Sequence, residues 1–373
     1  MKIAVIGAGI FGSLISLELS EIADEVHLIE AGNEILDQAS RVNQARIHTG
    51  MHYPRDLPTA AEALGNYRDF LDKFPAAVVE LEQYYAISES GSKTSADEYL
   101  SFAQKLGIDF KSVPPESLFS DAGISLLVKV PEATFDYEII RAQLKSKILE
   151  KNNIRLRLAT AVKNVDDSFS TPRIKLVTGE SEDFDLVILS VYGMTQTLGK
   201  AIFSGMPSIK YQLCQVALGR LEGWSNVGIT VMDGPFWSVM PFGKTGFHSL
   251  TNVVDTPILE SMDSMLDCQV KNGICGVNFI NSCDICPDRP RGRSVEMIRK
   301  FQKQVKAGNF DYSHSIYTLK AVPSDLDFER AARPTQLFRS ESGRIMSVFS
   351  GKIGSSIQIS RELKLQIENE LGG

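Results

Sequence analysis

Cysteine is scarce in this sequence. The 373 residues contain five cysteines, Cys214, Cys268, Cys275, Cys283 and Cys286. Only the last two have the C-x-x-C spacing of a zinc-ligand pair, and no second C-x-x-C accompanies them. These two cysteines could form a zinc site together with the two upstream thiols. Alternatively, all of them are reduced thiols, as is usual in cytosolic proteins. We expect reduced thiols and no metal site.

Long apolar runs and basic character are also missing. No run reaches the roughly 20 uncharged residues of a membrane-spanning helix. The apolar N-terminal segment could imitate a secretory signal, but Glu18, Glu21, Asp24 and Glu25 interrupt it and no small-residue cleavage site follows. The formal net charge of −7 argues against nucleic acid as a partner. We expect a cytoplasmic protein without an integral membrane segment, and the sequence indicates no oligomeric state.

Internal repeats and low-complexity tracts are absent as well, which argues against a repeat array. With 43% hydrophobic residues, a chain of this length can bury a large core. Chains of this length usually divide into two domains.

A glycine fingerprint is the most informative feature that is present. Gly7, Gly9 and Gly12 have the G-x-G-x-x-G spacing, between an apolar run at 3–6 and a predicted helix over about 10–22. The first glycine permits a tight turn, the second lets a pyrophosphate approach the backbone, and the third lets the helix pack on the strand. The helix start offers free N–H groups to the phosphates. Ile10 and Phe11 follow as further contacts.

An acidic residue completes this unit. Residues 26–29 are predicted to form a second strand, and Glu30 at its end, followed by Ala31, can accept hydrogen bonds from a ribose diol. No other G-x-G-x-x-G follows a strand, which argues against an NAD(P)H-dependent reductase with a second nucleotide site. The unit predicts binding of an adenine dinucleotide.

A polar stretch follows where an ordinary dehydrogenase would have another helix and strand. Residues 39–56 are too polar and irregular to predict a buried strand. We interpret them as a loop along the cofactor, the alternative being a solvated surface loop. Its hydrogen-bonding side chains are Arg41, Asn43, Gln44, Arg46, His48, His52, Tyr53 and Arg55, with Ile47 between two of them.

The chain resembles the D-amino acid oxidase (DAO) superfamily of FAD-dependent oxidoreductases, which includes glycine and sarcosine oxidases and L-2-hydroxyglutarate dehydrogenase. Four landmarks, spread over residues 3–356, carry the resemblance. They are the fingerprint with Glu30, the segment 40–54 with its Arg-Ile-His-Thr-Gly-Met-His-Tyr-Pro, the segment 130–193, and Phe349-Ser350-Gly351-Lys352-Ile353-Gly354. The resemblance implies that the cofactor is FAD. It also favours noncovalent attachment, although in some relatives a histidine near the position of His48 is bonded to the flavin.

The third landmark returns the chain to the nucleotide unit. Its pattern predicts a helix over 137–151 and strands at 154–162, 173–178 and 185–190. The resemblance implies that the backbone near Val162 holds the adenine and that the turn from Ser190 to Gly193 lies close to the pyrophosphate. Tyr192 in this turn departs from the Ala-Thr-Gly of many relatives.

The fourth landmark is the best candidate for chemistry. Gly351, Lys352 and Ile353 precede a predicted C-terminal helix. A lysine and a helix start at this place would supply positive charge near flavin N1, where negative charge accumulates on reduction. The alternative is a solvated surface lysine.

These features predict an α/β fold with a Rossmann-type FAD-binding domain and a second, mainly antiparallel α+β substrate domain. We assign 1–84, 137–205 and 325–373 to the first domain, and 85–136 and 206–324 to the second. Candidate substrate contacts are Tyr53, Trp237, His248 and Arg333. A substrate carboxylate would require an arginine, for which the candidates are Arg46, Arg55, Arg220 and Arg333, the alternative for each being an ion pair at the surface or between domains. Aromatic residues on a half-buried sheet are often plain core, which is the alternative for Trp237 and His248.

The expected activity is hydride transfer from a small-molecule CH–NH donor, an amino acid or an N-substituted amine, to flavin N5. The alternative is a CH–OH donor, a 2-hydroxy acid, for which His48, His52 or His248 would act as base. A protein that binds FAD without turnover is a lesser alternative. Oxygen or a quinone or dye would accept the electrons.

Overall fold

We describe the fold from a computed structural model. It describes residues 1–120, 123–262, 283, 286, 289–323, 335–349 and 352–372. The predicted site residues Arg333 and Gly351 and the cysteines Cys268 and Cys275 lie outside these ranges.

The chain forms 21 strands and seven α-helices within these residues. The strands are β1 (Lys2–Ile6), β2 (Glu25–Ile29), β3 (Arg46–Ile47), β4 (Val78–Glu80), β5 (Glu82–Ser88), β6 (Lys111–Ser112), β7 (Ile124–Val130), β8 (Ala133–Phe135), β9 (Ile154–Arg157), β10 (Val162–Asp166), β11 (Arg173–Leu176), β12 (Ser181–Asp183), β13 (Leu186–Leu189), β14 (Ile209–Leu221), β15 (Val227–Val231), β16 (Trp237–Pro241), β17 (His248–Asn252), β18 (Pro257–Met262), β19 (Phe310–Pro323), β20 (Gln336–Arg339) and β21 (Ile345–Phe349). The helices are α1 (Ile10–Leu19), α2 (Leu57–Lys73), α3 (Ala96–Leu106), α4 (Tyr137–Glu150), α5 (Thr195–Gly199), α6 (Ser294–Gln304) and α7 (Ser356–Gly372).

The first large sheet has the strand order β20-β21-β13-β1-β2-β9, and all its pairs are parallel except β20 with β21. Alternate residues of its central strand face opposite sides, as the pleat requires. Ile3 and Val5 pack with α1, α4 and α7, whereas Ala4 and Ile6 pack with the β10–β11 hairpin and α5. A parallel sheet covered on both faces is the predicted Rossmann-type architecture, and this prediction is confirmed.

The second large sheet has nine strands in the order β18-β14-β17-β16-β15-β5-β7-β6, with β19 paired to β14. Its pairs are antiparallel except β15 with β5. This is the mainly antiparallel sheet that the sequence predicts. Its strand β5 begins at Glu82, three residues before the predicted boundary at 85, and the domain boundaries themselves stay a prediction.

One of two three-stranded sheets, β3-β8-β4, corrects the interpretation of residues 39–56 as wholly irregular. Arg46 and Ile47 form the short strand β3, both residues are buried, and they pair with Thr134 and Ala133 of β8. Buried backbone groups require hydrogen-bond partners, and here β8 provides them. The predicted strand 154–162 is likewise split into β9 and β10, because Ala159 between them has a positive φ of 51°.

Two properties of the described residues bear on binding partners. No helix among them is long and apolar enough to cross a membrane. No group of three or more His, Cys, Asp and Glu side chains within the same ranges is arranged to hold a metal ion. Cys214 is a buried free thiol.

Candidate active site

A cavity of about 1080 Å³ has walls from both large sheets and from the loop between β2 and α2. Most of the predicted site residues line it: Gly7, Gly9, Ile10, Phe11, Glu30, Ala31, Asn43, Gln44, Arg46, Ile47, His48, His52, Tyr53, Val162, Ser190, Gly193, Trp237, Lys352 and Ile353. These residues come from widely separated segments of the sequence, and the fold brings them together around one cavity.

Three predicted residues do not line the cavity. An added Cβ at Gly12 would lie 1.8 Å from the Gly7 carbonyl oxygen, so Gly12 serves helix packing. The Arg41 guanidinium lies 3.1 Å from the Asp37 carboxylate. His248 stands at the first residue of β17, and its Nε2 lies 2.8 Å from the Trp224 carbonyl oxygen. The geometry therefore does not bring His248 to a substrate in this cavity, whereas Asn252 at the other end of the strand does line it.

Trp237 lines the cavity but belongs mainly to the core. Its side chain is 2% exposed, its Nε1 donates to Gln304 Oε1 at 2.5 Å, and its ring packs edge-on against Phe301 at 4.8 Å. These contacts fix the ring against α6 and favour the core alternative.

The fingerprint has the geometry that its spacing predicts. Gly7 has a φ of +94°, and an added Cβ would lie 2.4 Å from the Ser190 carbonyl oxygen, so no side chain fits there. At Gly9 the nearest atom to an added Cβ is Ser40 Oγ at 3.4 Å, which leaves the start of α1 open to the cavity. Ser40 Oγ also accepts a hydrogen bond from the Ile10 N–H at 3.0 Å. Sequence reasoning missed Ser40, although it lies in the polar stretch.

Glu30 is fixed by backbone donors. Its Oε2 accepts from Ala8 N at 2.7 Å and its Oε1 from Gly32 N at 2.8 Å. Burial raises the pKa of Glu30, and these hydrogen bonds oppose the rise. The carboxylate keeps further lone pairs that can accept from a ribose diol.

Side chains of the polar loop hold it against the second sheet. Asn43 Nδ2 donates to the carbonyl oxygens of Ala39 and Ser40. Gln44 Nε2 donates to the Ser238 carbonyl oxygen at 3.1 Å, and Arg46 Nη2 donates to Ser238 Oγ at 2.6 Å. The loop is therefore a fixed part of the cavity wall and not a solvated surface loop.

His48 and His52 are stacked in this wall, with ring centroids 4.8 Å apart. Arg46 Nη1 lies 3.5 Å from His52 Nδ1, and the Tyr53 ring packs against both histidines. Burial holds the pKa of His48 well below its ordinary value, and the charges of His52, Arg46 and Lys352 lower it further. His48 is therefore a neutral imidazole at neutral pH.

Three carboxylates that sequence reasoning missed accompany the cations of the wall. Lys352 is 7% exposed and pairs with Glu62 of α2. Burial lowers the pKa of Lys352, and Glu62 opposes this. Arg55 makes a bidentate pair with Asp233, with contacts of 2.7 to 2.8 Å. The third carboxylate, Glu132, lies behind the wall and accepts a hydrogen bond from the Thr49 N–H.

The wall fits a flavin adenine dinucleotide at both ends. At one end, the open start of α1, the glycines and Glu30 suit a pyrophosphate and a ribose. At the other end, the buried atoms Arg46 Nε and His48 Nδ1 have no hydrogen-bond partner among the residues that the structure describes. Buried polar atoms usually have a partner, and the polar edge of a bound ring system would provide one.

Comparison with known proteins identifies the family. The family model described as FAD dependent oxidoreductase (DAO) matches residues 2–244. The chain belongs to this family of FAD-dependent oxidoreductases. The protein is accordingly an FAD-dependent enzyme, and the resemblance stated from the sequence is confirmed.

Similar proteins agree with this assignment. The FAD-dependent monooxygenase FPY4 of Fusarium mangiferae is 23% identical over 355 residues, which cover 94% of this chain and 87% of the relative. Glycine oxidase from Geobacillus kaustophilus superposes with a TM-score of 0.69 at 12% identity and covers 98% of this chain and 93% of its own. L-alpha-glycerophosphate oxidase from Mycoplasma pneumoniae, with FAD bound, has a TM-score of 0.71 at 13% identity, with 97% and 93% covered. At these identities the two structures establish the fold alone.

Proposed function

We propose that this FAD-dependent oxidoreductase removes a hydride from the carbon of a CH–NH donor, an amino acid or an N-substituted amine. When bound, FAD accepts the hydride at its N5 atom. The residues proposed to hold the nucleotide half are Gly7, Gly9, Ile10, Phe11, Glu30, Ala31, Val162, Ser190 and Gly193. Those proposed to hold the flavin half are Asn43, Gln44, Arg46, Ile47, His48, Lys352 and Ile353.

The electrostatic environment of His48 carries this proposal. Burial, Arg46 and Lys352 keep this imidazole neutral because they disfavour positive charge at its position. An amine bound beside His48 meets the same environment, so its pKa falls and its neutral form is favoured. The neutral amine is the form whose nitrogen lone pair assists loss of the hydride.

Two arginines of the wall support a donor that carries a carboxylate. Arg46 and Arg55 line the cavity, and a guanidinium binds a carboxylate through two parallel hydrogen bonds. Asp233 already occupies the Nε and Nη2 edge of Arg55, which leaves its Nη1 for a substrate. Arg220 lies elsewhere, with its guanidinium 5.1 Å from the Phe247 ring centroid, and it is not part of the cavity wall. We propose Tyr53, between the histidines and Arg55, as a further substrate contact.

A 2-hydroxy acid is the second candidate donor, and the stacked pair of His48 and His52 favours it. An alcohol donor must lose its hydroxyl proton, and a neutral imidazole can accept that proton. Against this candidate, the low pKa of His48 makes it a weak base.

Anaerobic reduction of the yellow holoenzyme distinguishes the two donors. The panel contains amino acids, N-methyl amino acids and 2-hydroxy acids, and bleaching of the flavin absorbance reports reduction. We expect bleaching by members of the amine classes. Reduction by hydroxy acids alone would replace the first candidate by the second. If no compound of the panel bleaches the flavin, both candidate donors are rejected.

A pair of histidine variants tests the role of the wall. His48→Asn should slow reduction by the best donor at least tenfold, whereas His248→Asn, a buried histidine outside the cavity, should leave the rate within about twofold. Equal rates in the two variants would remove His48 from the proposal. Reoxidation of the reduced enzyme by air, compared with a quinone or dye, identifies the electron acceptor.

A further inference from the structure

A buried carboxylate lies directly behind the histidine wall. Glu132 is 4% exposed and does not line the cavity. Its Oε1 accepts from Thr49 N at 2.9 Å and from Thr49 Oγ1 at 2.8 Å, and its Oε2 accepts from the Tyr85 hydroxyl at 2.8 Å. A carboxylate only accepts hydrogen bonds, so three donors around it stabilise the charged form.

The strand register explains how Glu132 reaches the loop. Arg46 and Ile47 of β3 pair with Thr134 and Ala133 of β8. His48 and Thr49 continue from β3, and Glu132 immediately precedes β8, so its side chain meets the loop that carries both histidines. The Tyr85 hydroxyl donates to Glu132, and the Tyr85 ring lies 6.2 Å from the His52 ring.

Charge connects Glu132 to Arg46. The Arg46 guanidinium is buried, and its hydrogen-bonding contacts, Ser238 and His52, carry no negative charge. Among the described residues it makes no ion pair. Burial raises the pKa of Glu132, and the charge of Arg46 is the largest influence that opposes the rise. The positive charge of Arg46 therefore favours the ionised form of Glu132 across the back of the wall.

We propose that Glu132 is a positioning residue that tunes the reduction potential of the bound FAD. Its hydrogen bonds fix the loop between β3 and His52, and its negative charge offsets the positive charge of Arg46. The inference rests on the proposed location of the flavin ring beside Arg46 and His48, and it does not depend on which donor the enzyme oxidises.

The experiment measures the reduction potential of the holoenzyme against reference dyes, without substrate. Glu132→Gln keeps the shape of the side chain and removes its charge, so the uncompensated Arg46 should favour the reduced flavin. We expect the equilibrium to shift toward reduction at least tenfold, which is about 30 mV for a two-electron couple. Tyr85→Phe removes a hydrogen bond from the carboxylate but no charge, and it should shift the equilibrium less than about threefold. Glu132→Gln with bound FAD and an unchanged potential would overturn the proposal.

If Glu132→Gln does not retain FAD, a second variant tests whether Glu132 influences the reduction potential. Thr49→Val removes the Oγ1 donor, so Glu132 takes up a proton at a higher pH. The potential of this variant should exceed the wild-type value increasingly as the pH falls and match it in alkali. Among the described residues, the groups whose charges interact with Glu132 include Arg46, Tyr67, Tyr85 and Tyr99, and these keep their charge state below about pH 10. Coincident curves at every pH would refute the role of Glu132, and failure of the donor panel would leave this result standing.

Discussion

Replacing Lys352 by methionine should lower the reduction potential of bound FAD and slow its reduction by substrate. The lysine is buried in the cavity wall, on the proposed flavin side, and Glu62 holds its ammonium group. A cation at this place stabilises the negative charge that reduction adds to the flavin. Methionine has a similar length and no charge, so the variant removes chiefly the electrostatic contribution.

The magnitude follows from the ion pair. A group that stabilises developing charge in a buried site typically contributes on the order of 3 kcal/mol. The side chain of Lys352 is 6% exposed and that of Glu62 is 30% exposed, so solvent screens the pair only partly. The negative charge of Glu62 therefore cancels part of the lysine charge. We expect about half the full effect, roughly 1.5 kcal/mol, which is about 30 mV for the two-electron couple and about tenfold in rate.

Two further variants make the test specific. Glu62→Gln keeps Lys352 and removes its counter-charge, so it should raise the potential, the opposite sign to Lys352→Met. Lys364→Met removes a lysine of α7 whose partner is Glu21, away from the cavity wall, and should leave the potential unchanged. Potentials are measured against reference dyes, and reduction rates are measured anaerobically in a stopped-flow instrument.

If Lys352→Met keeps both its potential and its reduction rate while it still binds FAD, the Lys352–Glu62 pair has a purely structural role, and the flavin ring lies against another part of the wall.

Three other predictions test the fold and the site. Gly12→Ala should prevent folding, because its Cβ would lie 1.8 Å from the Gly7 carbonyl oxygen. Gly65→Ala in α2, where no atom of the described residues lies within 4 Å of the added Cβ, should raise the free energy of unfolding by about 0.5–1 kcal/mol, and circular dichroism and thermal melts measure both effects. The pKa of His48 is depressed in the folded protein, so below about pH 6.5 the unfolded chain binds a proton at His48 that the native state does not bind. The free energy of unfolding therefore decreases as the pH is lowered through this range. His48→Asn should therefore flatten the acid limb of a plot of unfolding free energy against pH by up to about 1.4 kcal/mol per unit, and an unchanged slope would contradict this. FAD should be released by acid precipitation, and flavin that stays with the polypeptide would show a covalent link.

The parts of the site that the sequence predicts are local in the chain. The fingerprint, α1, β2 and Glu30 lie within 28 residues, and each hydrogen bond of that unit follows from strand, turn and helix in fixed order. The polar loop could be predicted as cofactor-facing from its composition. Its strand β3 could not, because a two-residue strand exists only through its partner β8, which lies far along the chain.

The end of β17 that meets the cavity was equally beyond the sequence. The pattern of β17 marks His248 and Asn252 alike as residues of a half-buried strand, and it does not determine which end faces the cavity. The sheet register decides this, since His248 pairs with Gly219 and Asn252 with Trp237. Prediction of His248 as a substrate contact lacked that information.

The carboxylates beside the cations also come from distant segments of the chain. For this reason the motif residues alone do not determine the chemistry of the cavity wall. Lys352 pairs with Glu62 at a sequence separation of 290, Arg55 with Asp233 at 178, and Glu132 bonds to Thr49 at 83. Each cation can be found from the loop or the terminal motif, but its effective charge depends on an acid from another segment. A chain with the same loop and neutral residues at positions 62 and 132 would therefore bind the same cofactor in a more positive wall, and reduction of that cofactor would be more favourable.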